Sequence, residues 1–306
     1  MKASLLLLQA GIAVLGAPLV SGFIRKVKNA LRMRQGASLG QPYYNIAKYM
    51  AKEEVVSEAT SWIFRWTPSI VLGSTVAALM FVPVFSFSLS APGMGDVLTL
   101  FFLFSLGRFF LALAGLDTGS AFGGMGSSRE MFIASFVEPV AILSVAVVAG
   151  HSASPQGGLM ACSMGMSFSG MVAAAALFMV VLAETSRIPV DNQETHLELT
   201  MIHEAMLLEY SGPSLAMLET AAHTKQLIWF SLLGAILWPW PVGSSAALSD
   251  IAAAAAFFVL KIVLCAVIVG LTEVSLAKMR LFRVADFLGL AFLFSVLALV
   301  ISGLGY

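Results

Sequence analysis

Charge is what this sequence lacks most. Only 11% of its 306 residues are Asp, Glu, Lys or Arg, against roughly 25% in a soluble domain, so water is not the chain's main solvent. Cysteine is also scarce. Cys162 and Cys265 both lie in apolar stretches, and no Cys-x-x-Cys or Cys/His spacing for an iron-sulfur or zinc site exists. Any electron carrier that works with the chain must therefore belong to another polypeptide, and no catalytic residue or metal ligand is expected here. No sign of charge dominates, since 17 Lys and Arg balance 17 Asp and Glu. No nucleic-acid partner, internal repeat or low-complexity tract is expected.

What the sequence has in quantity is oil: 59% of its residues are hydrophobic and the mean hydropathy is +0.91. A helix crossing a bilayer needs roughly 20 apolar residues. Eight runs supply them, at about 3–24, 67–88, 96–116, 131–150, 164–183, 226–245, 250–271 and 285–304. The first is too long for a cleaved secretory signal, whose apolar region runs roughly 7 to 15 residues, and Arg25, Lys26 and Lys28 follow it as a stop-transfer flank. The chain reads as an all-α integral membrane protein, a single membrane domain (1–306) with about eight transmembrane helices.

Lys and Arg give the orientation. The connections 24–66, 117–130, 184–225 and 272–284 hold eight, one, two and three of them, while the opposite side has only Lys2. Basic residues accumulate on the cytoplasmic side, so both termini are expected outside and these four loops in the cytoplasm. The outer connections are short and rich in Gly, Pro and Ser, with Trp238 and Trp240 placed for an interfacial aromatic belt. The loop 184–225 opens on the breaker "SRIPVDN", continues as helix-compatible "QETHLELTMIHEAMLLEY" and stops at "SGP". It is too polar to span and too apolar to float free, so it is expected to fold back on the helices.

Ionisable residues remain in or beside the apolar layer: Arg108, Glu138, Glu184, Lys261, and Glu273 at the seventh run's inner end. A central Asp, Lys or Arg costs roughly 2.5–3.5 kcal/mol on insertion scales, so such groups face a partner or a water-filled cavity. Arg108 lies nine residues before Asp117 and Glu138 eight after Glu130; at about 1.5 Å per residue both fall ~12–14 Å from the cytoplasmic side, at one depth. Lys261 stands twelve residues, about 18 Å of helix, above Glu273. Two readings remain open: a structural ion pair, and a proton relay in which each site gains and loses a proton without leaving the membrane. Other constellations carry less. His196, Glu198, His203 and Glu204 lack the His-Glu-x-x-His spacing, and "GSAFGGMG" lacks the strand and Lys-Ser/Thr of a phosphate loop, reading instead as a tight turn.

The segment "AETSRIPVD" (183–191), the acidic stretch after it and "EYSG" (209–212) resemble the membrane subunit shared by respiratory complex I, where it is the ND1-type chain, and membrane-bound nickel-iron hydrogenases. Residues 25–55, 108–140 and 272–283 extend the likeness over nearly the whole chain, and "LDTGS" (116–120) is closer to the hydrogenase branch, typified by formate hydrogenlyase. The resemblance implies a subunit that anchors an iron-sulfur and catalytic peripheral arm and begins a proton path toward antiporter-like membrane subunits. It implies no cofactor in this chain, iron-sulfur clusters and, in a hydrogenase, nickel-iron in partner subunits, with quinone as an open question.

Glu138, Glu184, Arg187, Asp191, Glu194, Glu198, Glu209, Lys261 and Glu273 fall on matching positions, and Arg108 and Glu204 are added from the residue reading. Arg25, Lys26, Lys28, Arg32 and Arg34 are expected to meet the partner arm. The chain departs from the pattern at His196, where relatives carry a second acid, and in about three extra residues before "EYSG". The expected site is the bacterial or archaeal cytoplasmic membrane. Two alternatives stand beside this expectation: a quinone-site subunit of an NADH-type dehydrogenase, and a stand-alone secondary transporter.

Overall fold

The computed structural model of the chain describes residues 2–82, 97–150, 167–191, 201–238 and 248–304. Eight long helices and two short ones account for most of them: α1 (Lys2–Leu31), α2 (Gln41–Met50), α3 (Trp62–Leu79), α4 (Val97–Asp117), α5 (Ala121–Gly150), α6 (Phe168–Glu184), α7 (His203–Leu207), α8 (Gly212–Leu237), α9 (Leu248–Ser275) and α10 (Leu281–Gly303). No strand occurs among the described residues. Five helices, α1, α4, α5, α9 and α10, are long and apolar enough to cross a membrane, and α6 is apolar but shorter. α3 and α8 dilute their apolar residues with Arg65 and with Glu219, His223 and Lys225.

α8 is the axis of the bundle. It packs on α1, α2, α3, α6 and α9, and Trp229, Phe230, Ile228 and Leu233 along it are fully buried. α5 holds the other side through α4, α6, α7 and α10. By contrast α9 touches chiefly α1 and α8, and only 28% of its apolar span is buried, against 50% for α4 and α5.

Helix ends follow local chemistry. Ser61 caps α3, its Oγ accepting from the Ile63 N–H at 3.2 Å, and Asp117 at the end of α4 accepts from Ser61 N–H and Oγ at 2.7 and 2.9 Å. Ser167 caps α6 through the Gly170 N–H; both follow the preference of helix starts for a short hydroxyl side chain.

Several sequence expectations are corrected. "SGP" is a start, not a stop: Pro213 occupies the first turn of α8, where its missing N–H costs nothing. The loop 184–225 therefore ends at Ser211. The loop 117–130 shrinks to Thr118–Ser120: of "GSAFGGMG", Gly119, at φ 64°, and Ser120 are in the turn, while Ala121–Gly126 form the first turns of α5. Gly123 lets α5 approach the Gly115 carbonyl of α4, where a Cβ would collide. α1 runs on to Leu31 and carries Arg25, Lys26 and Lys28 on helix. Within the helix-compatible stretch 193–210 the described helix is α7. Trp238 ends α8; Trp240, Cys162 and the Gly/Pro/Ser-rich connections lie outside the described residues.

Candidate functional site

The ends of α1, α4, α6 and α9 and the starts of α3, α5, α8 and α10 gather at one end of the bundle, and two buried ionic networks lie there. The first centres on Arg108 of α4, whose side chain is 6% exposed. One Nη donates to Glu138 Oε1 of α5 at 2.7 Å, the other pairs with Glu184 Oε1 at the end of α6, and Nε stands 3.7 Å from Glu130 Oε1. Ser105 Oγ donates to the same Glu138 oxygen at 2.7 Å. Lys225 of α8 holds the other Glu184 oxygen at 2.6 Å. Three carboxylates thus meet two cations, which is how a buried charge is made tolerable.

The second network centres on Glu273 of α9, 2% exposed at its side chain. Arg187 Nη1 and Lys28 Nζ each reach one of its oxygens at 3.0 Å. Arg187 Nη2 donates to Gln226 Oε1 at 3.3 Å, Ser21 Oγ donates to that same oxygen at 2.7 Å, and Ser21 Oγ lies 2.8 Å from His223 Nδ1. His223 Nε2 is 3.8 Å from Glu219. Because Lys225 and Gln226 are consecutive on α8, and Glu184 and Arg187 three residues apart, the two networks adjoin.

A cavity of about 130 Å³ opens between them, lined by Arg108, Glu130, Glu184, Arg187, Lys225 and Gln226 and closed from the loop side by His203, Glu204 and Arg25. α7 reaches this position because Gly126 of α5 leaves room for Ala205 and Met206. Arg129 donates to the Met201 carbonyl at 2.9 Å, and Asp191 accepts from the Ile202 N–H at 3.2 Å while pairing with Lys278 at 2.9 Å. Burial, with Glu219 and Asp191 adding to it, raises the Glu204 carboxyl to about 7. Burial also lowers the His203 imidazole. Glu204 therefore takes up and releases a proton near neutral pH, the property a general acid or relay needs.

The sequence-derived residues distribute unevenly. Arg108, Glu138 and Glu184 come together, Arg187 and Glu273 come together, and Asp191 and Glu204 lie beside them, while Glu209 is exposed. Glu194, His196 and Glu198 lie outside the described residues. Lys261 joins neither network: it is half-buried midway along α9, against Gly234 of α8. Among the expected docking residues Lys28 is corrected, being 5% exposed and committed to Glu273, and Arg25 faces the cavity. Lys26, Arg32 and Arg34 are exposed. Sequence reasoning missed Lys225, Gln226, His223, Glu219, Glu130 and Ser21 as site residues. The signal available for four of them was the Pro213 helix start, which puts residues 219–226 on helix rather than loop.

The family model described as NADH dehydrogenase matches residues 3–303. The chain belongs to this family. It is a complex I-like membrane subunit. It is 32% identical to hydrogenase-4 component C of Escherichia coli (strain K12) over 96% of this chain and 94% of that one. It is 30% identical to formate hydrogenlyase subunit 4 of the same strain, over 90% of each. The fold matches a chain of the membrane-bound sulfane sulfur reductase, an archaeal respiratory membrane complex, with a TM-score of 0.83 at 19% identity, over 97% of this chain and 99% of that one. No group of three or more metal-binding side chains occurs among the described residues.

Proposed function

We propose that the chain is the membrane-anchor and proton-path subunit of an energy-converting redox complex of the hydrogenase-4 or formate hydrogenlyase type. In this reading all eight long helices span a bacterial or archaeal cytoplasmic membrane, both termini lie outside, and the ionic end faces the cytoplasm beneath an iron-sulfur peripheral arm. Iron-sulfur clusters, and nickel-iron where the arm is a hydrogenase, belong to that arm; antiporter-like membrane subunits take the protons onward. The observation that carries the reading is the pair of adjoining ionic networks around one cavity. Protons enter at Glu204, cross the cavity past Glu184, whose two oxygens Arg108 and Lys225 hold, and move on to Glu138, whose side chain is 39% exposed and so lies at the rim of the chain. Arg108 and Lys225 hold the carboxylates in place, and Arg187 and Gln226 leave a buried Nε and Nε2 without a protein partner among the described residues, polar groups that solvent in the cavity satisfies.

The quinone-site alternative is less well supported, because about 130 Å³ falls below the roughly 300–1,000 Å³ of ordinary ligand sites. A transporter would bring discontinuous helices to mid-layer, whereas α4, α5, α9 and α10 run unbroken. The test is Glu138→Gln in the whole complex reconstituted into vesicles. Electron transfer is expected to persist while proton translocation is lost; wild-type translocation refutes the path.

A further inference from the structure

Arg108 shows how this fold shelters a cation in oil, and among the described residues Lys261 has no such shelter. It stands 13 residues from the start of α9 and 14 from its end, about 20 Å of helix from either. The snorkelling open to lysines near helix ends is therefore out of reach. No ion pair or hydrogen bond reaches its ammonium among the described residues. Asp250, on the same helix, is eleven residues away along it. The half-buried stem packs on Gly234 and Cys265, while Phe257, Ala253 and Leu260, within about 100° of it around the helix, are exposed.

We propose that this face of α9 is the seat of a membrane helix from a second subunit, and that this helix carries an Asp or Glu at mid-depth to pair with Lys261. Charge complementarity selects the occupant. A lipid tail offers no anion at that depth, and a second copy of this chain would bring Lys261 against Lys261 across a two-fold axis. The small residues Ala253 and Ala256, beside Phe257 and Leu260, let a helix backbone approach closely, as membrane helix pairs do. The carboxylate and ammonium then satisfy each other out of water, which makes the contact selective as well as adhesive. The inference rests on the reading of the chain as a subunit of a complex, and extends it to a surface far from the ionic networks.

The experiment is affinity purification of the whole complex from membranes through a tag on this chain, for wild type, Lys261→Arg and Lys261→Glu, with a photo-crosslinking residue at Leu260 in a parallel wild-type background. Lys261→Glu is expected to reduce one membrane subunit, relative to this chain, by roughly tenfold or more. The peripheral-arm subunits should be retained, which shows that the variant folds. Lys261→Arg is expected to keep the full set, and the crosslinker to capture the subunit that Lys261→Glu loses. An unchanged subunit set in Lys261→Glu, or crosslinks only to lipid or to a second copy of this chain, overturns the proposal. A wild-type chain that purifies with no second subunit overturns the assembly reading itself.

Discussion

Two of the cations embedded in this bundle, Arg108 and Lys261, are treated by the chain in opposite ways. Arg108 is wrapped by Glu130, Glu138 and Glu184, all supplied by this polypeptide from two neighbouring helices. Lys261 has no acid of its own among the described residues and lies on α9, whose apolar span, like that of α10, is only 28% buried. The first arrangement is complete in one chain and belongs to its working interior. The second is complete only in an assembly.

The largest effect expected from breaking this contrast is that of Arg108→Leu, which leaves three carboxylates facing one another and Lys225 alone. Removing one partner of a buried ion pair costs about 3–5 kcal/mol, so the detergent-purified chain should unfold at a clearly lower temperature or fail to accumulate. Glu273→Gln comes next. It removes the carboxylate that Lys28 and Arg187 share, both buried, at a cost of about 3 kcal/mol, read from the same melting curve.

A smaller effect concerns pH. Glu204 titrates at about 7 in the fold and lower when unfolded, so the native state binds a proton that the unfolded chain has already released. Its stabilising contribution is full below about pH 4.5, falls as pH rises through 7, and is gone above it. Glu204→Gln should therefore flatten the fall in melting temperature between pH 5 and 8 (roughly the window set by those two values) and leave the variant more stable than wild type at the alkaline end. The smallest effect is expected of Lys261→Met on the isolated chain: an unchanged or slightly higher melting temperature, because no contact within the chain is lost. A drop as large as that of Arg108→Leu would erase the contrast.

Much of the fold was legible in the sequence. Each of the eight apolar runs overlaps a long helix, because long apolar runs leave few alternatives, but α5 begins ten residues before its run and α8 fourteen before. Counting residues along two helices also put Arg108 and Glu138 at one depth, and they meet at 2.7 Å. The rest depended on information that spacing does not hold. Lys28 reads as a stop-transfer charge until Glu273, far away in sequence, is packed against it. Lys225 and His223 read as loop because "SGP" looks like an end when it is a beginning. Lys261 and Glu273 share a helix, yet twelve residues at 3.6 per turn set them about 120° apart, so common membership of α9 did not make them neighbours.

The central claim, that carboxyl groups around the polar cavity change protonation as the redox partner turns over, is tested most directly by infrared difference spectroscopy of the whole complex, reduced minus oxidised. The account predicts a protonated-carboxyl band that shifts on reduction and disappears in Glu204→Gln. A difference spectrum without any carboxyl band, or one that Glu204→Gln leaves unaltered, would contradict it.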